Sequence, residues 1–232
     1  TNDELTTAAH YWAHRALVRC REPGEAQQHL VAAARYHETL YGMLAADQLG
    51  IDLPAEAAPE AFGKDDWRVL ERRDNVRVAT ALVEIGRYAL ADEVLRHEAR
   101  IGPPGAYPAL ARLARELGLP GAQLFMAHHA PRGMHSNAAL RFPVARWQPR
   151  TGWRVDPALA FAHALQESNF RTGAVSPANA RGLMQIMPTT AQDHNRRLEL
   201  GASYADLNDP EINLAYGQQH LEMLRDSGAT GG

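Results

Sequence analysis

The chemically richest stretch of the sequence places one carboxylate at the end of an apolar helix. Asp156 and Pro157 suit a helix N-cap and first turn, and the residues that follow, 158–165, are apolar nearly all round. Such a helix is expected to be largely buried. Glu167 then falls in its last turn, where partial burial and the negative end of the helix dipole both favour the protonated acid. Glu167 is therefore a candidate general acid, and the alternative is an ordinary ion-paired or solvated glutamate at a helix end.

A turn-rich loop follows this helix and ends in a segment suited to binding a polar ligand. Residues 176–182 are rich in turn formers and are expected at the surface. Gly182 would let the backbone approach a ligand closely, and Gln185 offers both a hydrogen-bond donor and an acceptor. Met187 would supply a flexible apolar wall. The alternative is a connector whose apolar residues simply fill a core.

Taken together, these residues resemble the signature of the soluble lytic transglycosylases. The resemblance lies in Gln-Glu-Ser-Asn-Phe at 166–170, Ser-Pro at 176–177 and Gly-Leu-Met-Gln-Ile-Met-Pro at 182–188, in the right order and spacing. Residues 208–217 are similar to the next helix of that family, which packs under the cleft. The family consists of lysozyme-like enzymes that cut the glycan strands of bacterial peptidoglycan.

The resemblance implies a role for each matching residue. Glu167 would be the sole catalytic acid and base, Ser176 would help to position an N-acetyl group, and Gly182, Gln185 and Met187 would line sugar subsites. The bond cut would be the β-1,4 bond between N-acetylmuramic acid and N-acetylglucosamine. The sugar's own 6-hydroxyl would replace water, giving a 1,6-anhydro product with assistance from the substrate's N-acetyl group.

The sequence beyond Glu167 bears on the number of catalytic carboxylates. Downstream acids carry no signature of a second one, and Asp209 before Pro210 suits a helix N-cap. The family's Ala-Tyr-Asn-Ala-Gly motif is expected after the helix that contains Tyr216, but the sequence ends at Gly232. The lysozyme-like domain is therefore expected to be incomplete. We expect a trimmed piece of a longer protein, and the alternative is a truncated protein with doubtful activity.

Composition narrows the function classes. Among 232 residues, 45% are hydrophobic and 7% aromatic, and the net charge of −3 gives no basis for a nucleic-acid partner. The lone Cys20 excludes an internal disulfide, and no apolar run reaches the roughly 18 residues of a membrane span. No cofactor or metal is expected, and the oligomeric state stays open. The resemblance implies a periplasmic protein whose targeting segment was removed before Thr1 and whose partner is peptidoglycan.

The first part of the chain reads as an array of helices. Glycines at 50, 86, 102 and 118 suit helix C-caps, and three of them recur at intervals close to a helical-hairpin repeat. The fold class predicted is mainly α: a helical-repeat superhelix over 1–141, an extended connector over 142–155, and the lysozyme-like domain over 156–232. The predicted helices of the first region are 3–20, 24–49, 65–85, 89–101, 107–117 and 122–129.

Two other functions and one other site remain open at this point. A hydrolytic muramidase on the same scaffold would admit water, and a helical scaffold with an inactive domain would only bind glycan. His10 and His14 have the four-residue spacing of helical metal ligands, but no third ligand is evident, so a surface histidine pair is the simpler interpretation.

Overall fold

The computed structural model describes residues 2–52, 60–134, 138–198, 200 and 204–228. The contacts between Cα atoms divide the chain into two compact units, Thr1–Ala58 and Pro59–Gly232. The predicted boundary at residue 142 is a different division, and it stays a prediction. The helices are α1 Asp3–Arg19, α2 Pro23–Ala34, α3 Leu40–Leu49, α4 Lys64–Leu70, α5 Asp74–Glu84, α6 Tyr88–Ile101, α7 Tyr107–Glu116, α8 Pro120–His128, α9 Ala138–Arg141, α10 Pro157–Ser168, α11 Pro188–Leu198 and α12 Pro210–Asp226.

The predicted mainly α fold is confirmed. Apart from two isolated bridges, Val175 with Arg181 and Arg181 with Ile186, no extended pairing occurs in the part of the chain that the structure describes. Short 3₁₀ helices at Pro104–Ala106 and Tyr204–Asn208 complete the secondary structure. Within those same residues, no helix is long and apolar enough to cross a membrane. The superhelical arrangement of the first region stays a prediction.

Two of the predicted helices are each broken in two. The predicted helix 24–49 is wrong because α2 ends at Ala34 and α3 begins after Thr39, whose hydroxyl accepts a hydrogen bond from the Gly42 amide at 3.1 Å. The predicted helix 65–85 likewise divides into α4 and α5. Neither break, 35–39 or 71–73, contains the glycine or proline that commonly marks a helix end in a sequence.

Glycine ends three of the helices as expected. Gly50, Gly86 and Gly118 have φ values of 66°, 72° and 66°, in the left-handed region that favours glycine. Gly102 also follows a helix, but its φ of −71° and ψ of 160° are extended, so the left-handed cap expected there is absent.

The unit Thr1–Ala58 is a small three-helix assembly in which α1 packs on α2 and α3. Its core contains Leu30, Ala33 and Ala45. His14 is buried in α1, with Nδ1 2.9 Å from the Ala26 carbonyl oxygen and Nε2 3.3 Å from Gln48 Nε2. This histidine therefore fastens neighbouring helices, which is a structural use of the residue.

The unit Pro59–Gly232 contains two apolar cores. The helical core is formed by α5 to α8 and the segments around them, with Leu95, Leu110, Leu113 and Met126 almost fully buried. The cleft core is formed around α10, α12 and the loop between α10 and α11. Its members include Ala160, Leu183, Ile186, Leu214 and Tyr216.

A buried amide fastens the predicted connector to the cleft core. Gln218 on α12 is fully buried, and its Oε1 accepts a hydrogen bond from the Arg154 amide at 3.0 Å. Its Nε2 donates to Thr151 Oγ1 at 2.9 Å and to the Gly152 carbonyl at 2.8 Å. Trp147 and Trp153 pack against the same core, so the segment that lacks helical periodicity is fixed by one amide and two aromatic rings.

Candidate active site

Helix α10 carries the predicted acid and begins and ends as the sequence indicates. Asp156 Oδ1 accepts a hydrogen bond from the Ala158 amide at 2.8 Å, and Pro157 opens the helix. The helix ends because Asn169 and Phe170 both adopt left-handed φ values, 50° and 60°. Phe170 is nonetheless buried, 6.2 Å from the ring of Phe161, so packing holds a backbone conformation that a phenylalanine rarely adopts.

The expectation that α10 is buried all round is wrong. It buries one narrow face through Ala160, Ala164 and Ser168, while Leu159 is 47% exposed. Glu167 is exposed, so the partial burial expected at its carboxylate is absent. Two of the four alanines of α10, Ala158 and Ala162, face solvent, and small apolar side chains can do so at little cost.

The loop from Ala174 to Ile186 forms a tight double turn beside Glu167. The Ser176 amide donates to the Ala180 carbonyl at 2.9 Å, and the Gly182 amide donates to the Ala174 carbonyl at 2.9 Å. Ser176 Oγ accepts a further hydrogen bond from the Ala180 amide at 3.0 Å. Arg181 and Ile186 exchange both backbone hydrogen bonds. The loop therefore has an internally fixed shape before any ligand is present.

One buried side chain, Asn213 of α12, holds this loop from beneath. Its Nδ2 donates to the carbonyl oxygens of Arg181 and Leu207, each at 2.8 Å, and its Oδ1 accepts from the Met184 amide at 2.8 Å. Asn213 is 0% exposed. A fully buried amide that bonds three backbone groups specifies one loop position, since its loss would leave the Met184 amide and the Leu207 carbonyl unpaired.

Two glycines make that close packing possible. A Cβ on Gly182, whose φ is 74°, would lie 2.3 Å from both Asn213 Nδ2 and the Leu207 carbonyl oxygen. A Cβ on Gly217 would lie 2.0 Å from Met184 Sδ. Gly182 therefore lets the loop backbone pack against α12. Gly217 leaves room on α12 for the side chain of Met184, which comes from the loop.

A cleft of about 340 Å³ opens beside the carboxylate of Glu167. It lies between α10, the loop, the start of α11 and the C-terminal half of α12. Its lining combines apolar, amide, hydroxyl and imidazole side chains around one carboxylate, a composition suited to a polar uncharged ligand. The lining residues are His163, Glu167, Met184, Gln185, Ile186, Met187, Thr190, Gly217, His220, Leu221 and Leu224.

The structure brings together three of the five predicted site residues. Glu167, Gln185 and Met187 line the same cleft, and Met187 is 37% exposed. Gln185 has a φ of 47°, and its Nε2 donates to the Gly182 carbonyl at 3.0 Å. Ser176 and Gly182 are not among the lining residues, since Ser176 closes the turn before Arg181 and Gly182 is buried against Asn213. Their contact with substrate stays a prediction.

Sequence reasoning missed the two histidines of the cleft and the role of Asn213. His163 precedes Glu167 by four residues and therefore shares its helix face, a spacing that could have been noticed. His220 comes from α12, and its ring centroid lies 5.9 Å from that of His194. No local pattern marks His220 or Asn213, because their roles depend on how α12 packs.

The cleft contains a single acid among its described lining residues, Glu167. Asp209 is the N-cap of α12, accepting hydrogen bonds from the amides of Glu211 and Ile212 at 2.8 and 3.2 Å. No group of three or more histidine, cysteine, aspartate or glutamate side chains that could hold a metal occurs among the residues described.

The family comparison matches the part of the chain that contains this cleft. Residues 147–229 match the family model described as the transglycosylase SLT domain. A relative from Klebsiella pneumoniae subsp. pneumoniae, named endo-type membrane-bound lytic murein transglycosylase A, is 34% identical over 100 residues. That alignment covers 38% of this chain and 49% of the relative.

Two solved structures share the fold of nearly the whole chain. The 70 kDa soluble lytic transglycosylase from Escherichia coli superposes with a TM-score of 0.75 at 22% identity, over 95% of this chain and 36% of that one. An inactive mutant of lytic transglycosylase Slt from Pseudomonas aeruginosa gives a TM-score of 0.70 at 24% identity, with the same coverage of 95% and 36%.

The predicted family is confirmed for residues 147–229, which match the transglycosylase SLT domain. For the chain as a whole, the two solved structures show a shared fold. The chain spans about half the length of the curated relative and about a third of each of the two structures.

Proposed function

We propose that the protein is a lytic transglycosylase that cleaves the β-1,4 bond between N-acetylmuramic acid and N-acetylglucosamine in peptidoglycan without water. The observation that carries the proposal is the cleft with one carboxylate, Glu167, inside a domain matched by the SLT family. Most glycosidases use two carboxylates, whereas substrate assistance lets one suffice. A cleft whose described lining offers a single acid suits the second arrangement.

In the proposed reaction, Glu167 acts first as an acid and then as a base. It donates its proton to the glycosidic oxygen as the bond from that oxygen to C1 breaks. The carbonyl oxygen of the muramoyl N-acetyl group stabilises the cationic C1. The Glu167 carboxylate then accepts the proton of the 6-hydroxyl, whose oxygen bonds to C1, and the 1,6-anhydro ring closes. The enzyme returns to its starting protonation state with no water consumed.

The rest of the cleft would bind the sugars. Nε2 of Gln185 is engaged by the loop, and no described residue donates to its Oε1, which leaves that oxygen for a sugar hydroxyl or amide N–H. Met187 would pack against an apolar ring face. Ser176 and Gly182 are proposed to contribute to substrate positioning through the shape of the loop that they close.

Peptidoglycan as substrate also implies where the protein works. The polymer lies outside the cytoplasmic membrane, so we propose a periplasmic location. Glycan strands are the proposed partner of the chain.

Analysis of digestion products tests the proposal. Purified peptidoglycan is incubated with the protein, and the soluble muropeptides are separated and weighed by mass spectrometry. New 1,6-anhydromuramoyl ends are expected. New reducing ends alone would contradict the proposal and identify a muramidase. No products at all, with glycan still bound, would identify an inactive binding domain.

A further inference from the structure

A second concave site lies apart from the Glu167 cleft, within the same compact unit. Two cavities of about 260 and 690 Å³ share four lining residues, Tyr88, Ala89, Trp147 and Thr172. Because the cavities share this wall, we describe them together as the trough. The volumes fall in or near the range of about 300–1,000 Å³ that is typical of ligand sites. None of the residues lining the trough lines the cleft of Glu167.

Aromatic side chains stand at the centre of the trough. Tyr88, at the start of α6, is 41% exposed, and Trp147 is half-buried. Phe170 adds a third ring to the smaller cavity. Exposed faces of tyrosine and tryptophan offer large, rigid, amphipathic surfaces that bind flat apolar faces at low cost in conformational entropy.

The charged groups of the trough are nearly balanced in sign, with five acids and four arginines along the two cavities. The smaller cavity is lined by two acids, Asp92 and Glu93, and by two arginines, Arg96 and Arg171. Asp92 is buried, its Oδ2 lies 2.7 Å from Arg96 Nε, and its Oδ1 accepts a hydrogen bond from the Ala122 amide. A lining with both signs selects against a strongly charged ligand but offers strong hydrogen bonds to neutral hydroxyl and amide groups.

The trough also touches the loop that shapes the cleft. Thr172, Gly173 and Ala174 line the smaller cavity. The Ala174 carbonyl accepts hydrogen bonds from the Gly182 amide at 2.9 Å and from Gln185 Nε2 at 3.4 Å. A ligand in the trough would therefore lie beside Ala174, whose carbonyl is hydrogen-bonded to Gly182 and to the cleft residue Gln185.

We propose that the trough is a second carbohydrate site that binds a neutral N-acetylated sugar segment of a glycan strand while Glu167 acts on another. A ring with apolar faces and a rim of hydroxyl and amide groups matches both the aromatic centre and the nearly balanced charges. The proposal rests on the proposed function for the identity of the glycan. It departs from that function by assigning residues outside the cleft, Tyr88 and Trp147 above all, to glycan binding.

The test is a calorimetric titration with the linear tetramer of N-acetylglucosamine, carried out in a Glu167→Gln background so that no turnover occurs. Ala89 is exposed, lines both cavities and lies on α6, so Ala89→Trp would fill the trough without disturbing a core. Ala81 is an exposed alanine on α5 that lines neither cavity, so Ala81→Trp is the matched control. Circular dichroism confirms that both variants fold.

We expect two binding events in the parent and in Ala81→Trp, and a loss of at least tenfold in the affinity of one event in Ala89→Trp. Identical titrations for the two tryptophan variants would overturn the proposal. So would displacement of the tetramer from the trough by an acidic peptide, because the site would then serve peptide stems. Absence of turnover by the wild type would refute the proposed function without affecting this measurement.

Discussion

The two apolar cores of the unit Pro59–Gly232 are built by different means. The helical core consists of Leu95, Leu110, Leu113, Met126 and similar residues that project from regular helices. The cleft core instead surrounds an irregular loop, and two amides, Asn213 and Gln218, are fully buried within or beside it. Each of these amides makes three hydrogen bonds, five of the six with backbone groups.

The difference follows from the backbone of each core, which is helical in one and irregular in the other. Helices satisfy most of their own backbone groups, so the helical core needs side-chain partners mainly near helix ends, as where Asp92 accepts from the Ala122 amide and Tyr107 donates to the Met126 carbonyl. The loop that carries Gln185 does not satisfy all of its own, and buried side-chain amides supply the missing partners. The position of the loop at the cleft therefore depends on a network of buried hydrogen bonds. Loss of that network is expected to reduce stability and turnover more than loss of one apolar side chain.

The largest expected effect concerns the acid itself. Glu167→Gln removes the proton donor while preserving shape, and we expect turnover of peptidoglycan to fall about 10³-fold, within the range usual for general acid–base groups. Thermal stability should change little because Glu167 is exposed. Rates of muropeptide release measure the effect.

Asp193→Asn provides the matched control for that variant, since Asp193 is an exposed carboxylate on α11 that does not line the cleft. It should retain wild-type turnover. Equal rates for Glu167→Gln and the wild type would remove Glu167 from its proposed role.

The next effect tests the polar network directly. Asn213→Leu leaves the Leu207 carbonyl and the Met184 amide unpaired in a buried place and removes one of the two hydrogen bonds to the Arg181 carbonyl, so we expect a loss of about 4 kcal/mol in the free energy of unfolding. Urea denaturation measures it. Turnover should also fall at temperatures where the variant is folded, because Met184 and Gln185 lose their support.

A change in the helical core sharpens the contrast. Leu95→Ala should cost about 3 kcal/mol of unfolding free energy, through lost burial and a residual cavity. Turnover well below the melting temperature should stay near the wild-type value. If Leu95→Ala reduced turnover by as much as Asn213→Leu in folded protein, the two cores would not differ as described.

The smallest effect is a pH dependence in the trough. Burial raises the pKa of Asp92 from 3.8 to about 6, against the opposing effect of Arg96. Between about pH 4 and 6 the unfolded chain ionises at this group while the folded chain keeps its proton, so the contribution of Asp92 to stability falls as the pH rises. In Asp92→Asn this dependence is absent.

Melting temperatures at pH 4, 5, 6 and 7 measure that contrast. The difference in melting temperature between wild type and Asp92→Asn should move by about 4–8 °C in favour of the variant from pH 4 to 6 and then level off. A difference that stays constant from pH 4 to 7 would contradict the raised pKa.

The sequence predicted the parts of the molecule that depend on local signals. The N-caps Asp156 and Asp209, the glycine caps at 50, 86 and 118, and the loop that carries Gln185 all follow from residue types at fixed spacing. The breaks after α2 and α4 were missed because apolar periodicity alone does not mark a helix end.

The features that depend on tertiary packing could not be predicted in the same way. Nothing near Asn213 in the sequence indicates that its amide reaches Arg181 and Leu207. Glu167 is exposed because α10 buries only the face that carries Ala160, Ala164 and Ser168. The entry of His220 into the cleft depends on which face of α12 turns toward it.

The most direct test of the central claim is cleavage of peptidoglycan in water enriched in oxygen-18. If Glu167 acts as acid and then as base with the 6-hydroxyl as nucleophile, the new muramoyl ends should be 1,6-anhydro and carry no label, and Glu167→Gln should release them about 10³-fold more slowly. Labelled reducing ends in the wild-type digest would show that water attacks C1, and would contradict the account.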